Sequence, residues 1–414
     1  VALVVDGVPW KAYPSMPATW GMPGSDVSTG AGGPAVFFGG GGRSIAHVAR
    51  TEEGVAFVID GEEGTTFQRV WPIVFSPDGA RHAYVARKAE KTVVVVDGVI
   101  QAEVESVRAD GWGGWPSVHF AANGARVAFV ETTRSEDGKQ RSRVWVDGTS
   151  EPWFTDVRYL VLAPDGSDHA YVATGPRDSK QRVVRSGRVG PAFDTIGRLV
   201  YDPAGKRLAY YGHSAEHGGL MIDNVPQREE RTDIIGPPVF SPDGTHLAYV
   251  ESSEGGQRVV VDGKPGATWQ RIGGLRFGPD GKSPVFVAQD ESGMRTVIGE
   301  DVGRPAAHNW PAQFSPDGQR HAYRQMSDER WEEVLEPVTI DGFNAGTFAA
   351  AVENHFFVYV QDSESSRIAW FEFVDDGWEE QASISAPDTF QLAMAPFSVA
   401  RVDGRLTFAG STGD

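Results

Sequence analysis

The residues in this sequence best suited to contact a ligand are three tryptophans, each followed by a proline: Trp71, Trp115 and Trp310. An indole ring presents a large apolar face and one N–H donor, so it can bind a sugar ring, a peptide or a side chain of a partner protein. All three stand shortly before a hydrophobic strand of a repeat, so we expect them in equivalent loops that form an aromatic mouth. The alternative is that each ring packs between neighbouring sheets, since tryptophan is usually well buried.

The sequence assigns no catalytic residue. The segment Gly212-His213-Ser214-Ala215-Glu216 lacks the last glycine of the Gly-x-Ser-x-Gly turn that exposes a serine nucleophile, so we expect a polar loop there. Hydrolysis of a glycosidic bond needs two carboxyl groups roughly 5 to 10 Å apart. The chain has 56 acidic residues, and sequence alone does not select a pair among them.

Metal and cofactor sites are not predicted. The chain has no cysteine, which excludes thiolate ligands and disulfides. Three histidines, His82, His169 and His321, occupy one position of the repeat described below. Equivalent positions in separate repeats lie far apart, whereas metal ligands must cluster, so we expect these rings to pack or to form structural hydrogen bonds.

Composition excludes two classes of partner. The chain carries 56 acidic against 38 basic residues, a formal net charge of −18, so its field repels nucleic acid. No apolar run approaches the ~20 residues of a membrane span, so no membrane insertion is expected.

The absence of cysteine suits an extracytoplasmic compartment, periplasmic or secreted, of a bacterium; a cytoplasmic location is the alternative.

A repeat runs through most of the chain. Its clearest element is an aromatic residue followed by a Pro-Asp-Gly turn, in which proline presets φ, aspartate bonds to the backbone and glycine takes positive φ. About eight residues after the aromatic comes alanine, then a ring, which predicts a second strand that packs against a facing sheet. The aromatic or apolar residue of each copy is Phe38, Phe75, Phe120, Leu162, Tyr201, Phe240, Phe277, Phe314 or Phe356.

A third strand of each repeat ends in a two-residue hairpin signal. Asp-Gly suits a type I′ turn because both residues tolerate positive φ. The dipeptide begins at Asp6, Asp60, Asp97, Asp147, Asp262 and Asp341, with variants at Ser186-Gly187, Asp223-Asn224 and near Glu300. The distance from this turn to the next aromatic leaves room for a fourth strand, so the repeat is a unit of four strands.

We therefore predict an all-β protein, a closed β-propeller of four-stranded blades over residues 1–374. Nine blades fit the count of copies best, and eight are the alternative. The first copy has only strands three and four and the last has strands one and two, so we expect the two ends of the chain to share one blade and close the ring. Residues 375–414 form a C-terminal tail of unpredicted structure, with a possible added hairpin at 402–406.

The Phe-Ser-Pro-Asp-Gly turns followed by Ala-Tyr-Val resemble the TolB-like, WD-repeat-like propeller repeats of bacterial proteins. The resemblance covers about residues 1–374 and implies the blade architecture. Members of that repeat family serve as interaction platforms, sugar-processing enzymes and gating domains of peptidases, so it does not select an activity. We expect a monomeric, non-catalytic propeller that binds a protein, peptide or glycan at a channel mouth. The alternative is a polysaccharide hydrolase or lyase with a site in the central channel.

Overall fold

A computed structural model describes residues 3–5, 8–13, 36–40, 42–109, 116–135, 137–175, 178–215, 218–227, 233–309 and 312–314, and the backbone of further strands between 321 and 409. The chain divides into two compact units, Val1–Arg231 and Thr232–Asp414. The described residues form strands and turns only. None of them forms a helix with the length and apolar character needed to cross a membrane.

The first unit contains a two-stranded sheet followed by five larger antiparallel sheets, which we number sheets 1 to 5. The two-stranded sheet is β1 (Val4–Val5) and β2 (Val8–Pro9). Sheet 1 is β3 (Val36–Gly39), β4 (Ser44–Arg50), β5 (Val55–Ile59) and β6 (Glu62–Glu63); sheet 2 is β7 (Arg69–Val70), β8 (Val74–Phe75), β9 (His82–Lys88), β10 (Lys91–Val96) and β11 (Val99–Val104). Sheet 3 is β12 (Ser106–Val107), β13 (Val118–Phe120), β14 (Val127–Arg134), β15 (Gln140–Val146) and β16 (Thr149–Ser150). Sheet 4 is β17 (Asp156–Leu162), β18 (His169–Thr174), β19 (Gln181–Arg185) and β20 (Arg188–Phe193); sheet 5 is β21 (Thr195–Ile196), β22 (Val200–Tyr201), β23 (Leu208–His213), β24 (Gly218–Ile222) and β25 (Val225–Pro226).

The second unit contains sheets 6 to 9 and a terminal hairpin. Sheet 6 is β26 (Ile234–Phe240), β27 (Leu247–Ser253), β28 (Gly256–Val261) and β29 (Lys264–Trp269); sheet 7 is β30 (Arg271–Phe277), β31 (Pro284–Asp290), β32 (Gly293–Ile298) and β33 (Asp301–Val302). Sheet 8 is β34 (His308–Asn309), β35 (Gln313–Phe314), β36 (His321–Ser327), β37 (Arg330–Leu335) and β38 (Val338–Phe343); sheet 9 is β39 (Phe348–Val352), β40 (His355–Gln361), β41 (Ser366–Val374) and β42 (Gly377–Ser385). The hairpin is β43 (Ser398–Val402) and β44 (Arg405–Ala409).

Each sheet is a meander, and where the first strand is interrupted its two pieces pair with the same second strand. Contacts also join the first strands of successive sheets: β3 contacts β8, β8 contacts β13 and β17 contacts β22 in the first unit, and β26 contacts β30 in the second. We call this side of each sheet the first-strand edge. The all-β class and the four-stranded antiparallel unit predicted from the repeat are confirmed by this pairing.

The turn chemistry follows the sequence prediction. Asp97 and Gly98 connect β10 to β11 with φ of 49° and 77°, as a type I′ turn requires. In the Pro-Asp-Gly turn before β9, Gly79 has φ of 73°. The Asp78 carboxylate accepts hydrogen bonds from the Ser76 hydroxyl at 2.6 Å and the Ala80 N–H at 3.1 Å.

One predicted hairpin is wrong. Asp341-Gly342 lies inside β38, and the pairing of Leu335 with Val338 shows that the chain reverses before this strand begins. Ile340 and Phe343 oppose Glu333 and Trp331, so the Asp-Gly pair forms a bulge in the strand. The same tolerance of positive φ that suits a type I′ turn also suits a bulge, so the dipeptide alone does not distinguish them.

The strands near the chain ends pair differently from the expectation of a shared blade. Among the described residues β1 pairs with β2 alone, while β40 lies between β39 and β41. The strand at Phe356 is therefore the second strand of sheet 9 and not a first strand. Sheet 9 takes its fourth strand, β42, from residues beyond 374, so it does not depend on the N-terminal strands for four-stranded pairing.

The core lies between neighbouring sheets. Rings of the second strands are almost fully buried there, including Tyr84, Tyr171 and Tyr210, at 2%, 0% and 0% exposure. The alanine before each ring is also buried, so small and large residues alternate and facing sheets interdigitate. These cores hold the first-strand edges in place.

Candidate functional site

The first strand of the repeat carries a bulge. In sheet 4, Arg158 pairs with Val172 and Val161 with Ala170, so two residues of β17 face one residue of β18. In sheet 7, the pairing of β30 with β31 shifts in the same way between Gly273 and Arg276. In sheets 2, 3, 5 and 8 the interruption splits the first strand into two short pieces. A bulge removes backbone groups from the hydrogen-bonded ladder and changes the direction of side chains. The pairing of the first strand therefore differs from sheet to sheet.

One residue of each bulge occupies an equivalent position, which we call the bulge position. The N–H groups of Trp71, Arg108 and Gly197 donate to carbonyls of the second strand at 2.9, 2.8 and 2.8 Å. These carbonyls belong to the residue two places after the buried alanine, and Arg158 pairs with the same residue of sheet 4. In sheet 7, where Val285 stands in place of the alanine, Gly273 pairs with Val287. The backbone is therefore conserved between sheets while the side chain differs.

Trp71 lies within the first strand of sheet 2, between β7 and β8, and not in a loop that enters this strand. Its half-buried ring packs against a core cluster shared by sheets 2 and 3, and the Arg69 guanidinium lies 4.9 Å from the ring centroid. In sheet 3 the bulge position belongs to Arg108. Trp115 and Trp310 lie outside the described residues, so the predicted aromatic mouth rests on the sequence pattern and Trp71 alone.

A cavity of about 370 Å³ opens at the bulge of sheet 7, inside the second unit. Its lining is formed by Arg271, Ile272, Gly273, Gly274, Val287, Ala288, Gln289, Met294 and Asn309. A side chain at Gly273 would meet no atom within 4 Å, so the space above this residue is open. Gly274 has φ of 67°, which directs the strand around the cavity.

Asn309 supplies the best-defined polar group of this cavity. Its Nδ2 donates to the Met294 carbonyl at 2.6 Å, which fixes the orientation of the amide. Its Oδ1 is buried and has no hydrogen-bond partner among the described residues. A buried acceptor without a donor is costly, so a water or a ligand N–H or O–H that reached Oδ1 would be favourable. The cavity therefore combines apolar walls with an oriented amide group.

A charged cluster occupies the bulge positions of sheets 3 and 4 in the first unit. Asp156 accepts hydrogen bonds from Arg108 Nη2 and Arg158 Nε, both at 2.6 Å, through its two oxygens. Arg108 and Asp156 are half-buried, whereas the Arg158 side chain is 60% exposed. The next residue, Tyr159, is 42% exposed and has φ of 53°, which is unusual for a bulky side chain.

The repeated histidines lie in separate sheets, as the sequence predicted. His82 stacks on Tyr84, with ring centroids 6.5 Å apart. His169 forms a 2.7 Å contact with Glu151, which lies beyond the last strand of the preceding sheet. Across the part of the chain that the structure describes, no group of three or more His, Cys, Asp or Glu side chains is placed to hold a metal ion.

Sequence reasoning missed two buried ion pairs inside sheets. Glu131 opposes Arg143 in sheet 3, and Glu251 opposes Arg258 in sheet 6, each across adjacent strands. The two glutamates are 5% and 1% exposed. Both occupy the position three residues after the buried alanine, so aligning the repeats by that alanine would have found them.

Comparison with known proteins gives similarity to solved structures only. No family model matches the sequence, and no curated protein matches it. The chain is similar to the β-propeller domain of the Trilobed protease from Pyrococcus furiosus, with 13% identity over 66% of this chain and 95% of that chain and a TM-score of 0.30. It is also similar to TolB from Acinetobacter baumannii (13% identity, 61% and 78% coverage, TM-score 0.26) and to the Dos1 propeller (11%, 72% and 91%, TM-score 0.32).

Proposed function

We propose that this protein is a non-catalytic binding propeller that recognises a protein, peptide or glycan through residues of its first-strand edges. The observation that carries the proposal is the cavity of about 370 Å³ at the bulge of sheet 7. Binding sites of this kind are concave and mostly apolar, with a few oriented polar groups. Ile272, Val287 and Met294 provide the apolar walls, and the Asn309 amide provides the oriented group.

The alternative function is cleavage of a polysaccharide in the central channel, by a hydrolase or a lyase. Such chemistry needs an acid and a base within reach of the scissile bond. Among the described residues that line this cavity there is no aspartate, glutamate or histidine, and Arg271 is the only ionisable group. The composition of the lining therefore favours binding over catalysis at this position.

The experiment fills the cavity without disturbing the strand. Gly273 does not have positive φ, and no atom lies within 4 Å of its would-be Cβ, so Gly273→Leu should fold normally and place an isobutyl group in the cavity. Ala267→Leu is the matched control, because Ala267 is exposed on the fourth strand of sheet 6 in the same unit. Both variants and the parent protein would be labelled and applied to a peptide array and a glycan array.

We expect Gly273→Leu to lose those array signals, shared by the parent protein and Ala267→Leu, that arise at the cavity. Equal melting temperatures of the three proteins would show that the loss is local. If every shared signal survives Gly273→Leu, the cavity is not a binding site. Release of shortened glycan products from the array by the unlabelled parent protein would support the hydrolase or lyase instead.

The proposal extends to architecture and location. We propose that the nine sheets are blades of one closed ring, with eight as the alternative count, and that the protein acts as a monomer. Support comes from the contacts between first strands of successive sheets. Small-angle scattering would test this arrangement, because an open arc has a larger radius of gyration than a closed ring. An extracytoplasmic location in a bacterium is supported by the lack of cysteine, and fractionation of cells that express the full-length protein would test it.

A further inference from the structure

We infer that the bulge positions of sheets 3 and 4 form a second binding site, which takes the carboxylate of an acidic peptide side chain. The site consists of Arg108, Asp156, Arg158 and Tyr159. All four residues belong to the first unit, so this site is separate from the cavity of the second unit. It does not depend on the function proposed for that cavity.

The charge of the cluster indicates a singly charged anion. Two guanidinium groups and one carboxylate leave one positive charge, in a chain whose formal net charge is −18. Asp156 engages one nitrogen of each arginine, Arg108 Nη2 and Arg158 Nε. A carboxylate is the monovalent oxyanion that guanidinium groups bind with paired hydrogen bonds.

Donors remain available for this carboxylate. Arg108 Nη1 has no hydrogen-bond partner among the described residues, and because it is buried, a ligand reaches it only when the Arg108 side chain turns outward. Toward the residues that the structure describes, Arg158 donates only through Nε, to Asp156, and its side chain is 60% exposed, so both of its terminal nitrogens can reach a ligand. An unpaired guanidinium N–H inside a protein is rare, and none of the described residues supplies an acceptor for this one.

Asp156 orients both arginines and belongs to the site as a positioning residue. Its two oxygens hold guanidinium groups from neighbouring sheets, so the two side chains are fixed relative to each other before a ligand arrives. A preorganised pair loses less side-chain entropy on binding than two free arginines would. This arrangement favours a specific contact over diffuse attraction.

The backbone favours a peptide over a sugar acid as the carrier of the carboxylate. Tyr159 and Leu160 lie between the paired positions Arg158 and Val161, so the bulge removes them from the regular register with β18. Their backbone can hydrogen-bond an extended peptide, as sheet edges commonly do. Tyr159, the residue after Arg158, holds a strained backbone conformation and is 42% exposed, so its ring is accessible to the apolar part of a glutamate side chain.

The test uses isothermal titration of the full chain with a hexapeptide that has one central glutamate and blocked termini, at about 0.15 M salt, where charges beyond roughly 8 Å are screened. The probes for comparison are the glutamine analogue of the peptide and an oligogalacturonate. The variants are Arg158→Gln and Tyr159→Gly. Arg188→Gln is the control, because it changes the net charge equally from an exposed position on the fourth strand of sheet 4.

We expect the glutamate peptide to bind. Arg158→Gln should raise the Kd for this peptide about ten-fold or more, as loss of a charge-assisted hydrogen bond does. Arg188→Gln should bind like the parent protein. Tyr159→Gly should weaken binding while its melting temperature stays equal or rises, because glycine accepts positive φ without strain. The proposal is overturned if the glutamine peptide binds equally, if Arg158→Gln retains full affinity, if only the oligogalacturonate binds, or if no probe binds.

Discussion

Replacement of Arg258 by valine should destabilise the protein strongly, because it removes the guanidinium group that pairs with the buried Glu251 carboxylate. Arg258 Nε and Nη2 lie 2.7 and 2.6 Å from Glu251 Oε1, and the glutamate side chain is 1% exposed. Removal of one partner of a buried ion pair costs about 3 to 5 kcal/mol. We therefore expect Arg258→Val to lower the free energy of unfolding by about that amount.

Another copy of the repeat shows which second substitution should restore the stability lost in Arg258→Val. At the equivalent position of sheet 2, Ala86 opposes Val93, and both residues are 0% exposed. The double variant Glu251→Ala with Arg258→Val reproduces this apolar pair in sheet 6. Because it removes both charges together, we expect it to recover most of the loss and to lie within about 1 kcal/mol of the parent protein.

Urea titration of the parent protein, both single variants and the double variant gives the coupling energy directly. Arg304→Val is the control, since it removes an exposed arginine of the same unit and should change stability by less than about 0.5 kcal/mol. A double variant as unstable as Arg258→Val would refute the reasoning. So would an Arg258→Val protein as stable as the control.

Three further predictions concern single residues. Trp71→Ala should cost about 2 to 4 kcal/mol in a thermal or urea melt, because the half-buried ring packs between sheets 2 and 3; an unchanged melt would favour a role in binding only. The His47 ring is fully buried against Trp10 and Tyr13, and this burial lowers its pKa in the folded protein. As pH falls, His47 is therefore protonated in the unfolded chain at a higher pH than in the folded protein. Stability should therefore decrease below about pH 6.5, and His47→Phe should flatten the melting temperature between pH 7 and 5. Hydrogen bonds from the Ser241 hydroxyl and the Thr245 N–H lower the pKa of Asp243 to about 2. The ionised Asp243 carboxylate therefore stabilises the fold above about pH 4, and this effect is lost as pH falls toward 2. Asp243→Asn should reduce the fall of the melting temperature in that range, and a melting temperature with the same pH dependence as the parent protein would contradict this.

Much of the fold follows from local chemistry. Positive φ at Asp97-Gly98 and at Gly79 is a property of two or four adjacent residues, so the turns could be predicted without knowledge of the strands they join. Asp341-Gly342 shows the limit of such signals. Its conformational preference fits both a turn and a bulge, and the pairing of Leu335 with Val338 decides between them.

The candidate sites follow less directly from sequence. Trp71 stands out by residue type, but its place inside the first strand depends on a register shift that no adjacent residue encodes. Arg108 and Arg158 are 50 positions apart in the numbering and carry no motif. They meet at Asp156 only because the packing of sheet 4 against sheet 3 brings Arg108 within hydrogen-bond distance of that carboxylate.

The amino-acid sequence by itself determined the all-β class, the four-stranded unit, the turn types and the alternation of alanine with a buried ring, because each depends on neighbouring residues and a short period. Tertiary structure decided which residues of different repeats face one another. The cavity beside Gly273 and Asn309 and the pairing of Glu251 with Arg258 depend on strand register and on packing between sheets. These arise from contacts between residues distant in sequence, and a single sequence does not specify such contacts one by one.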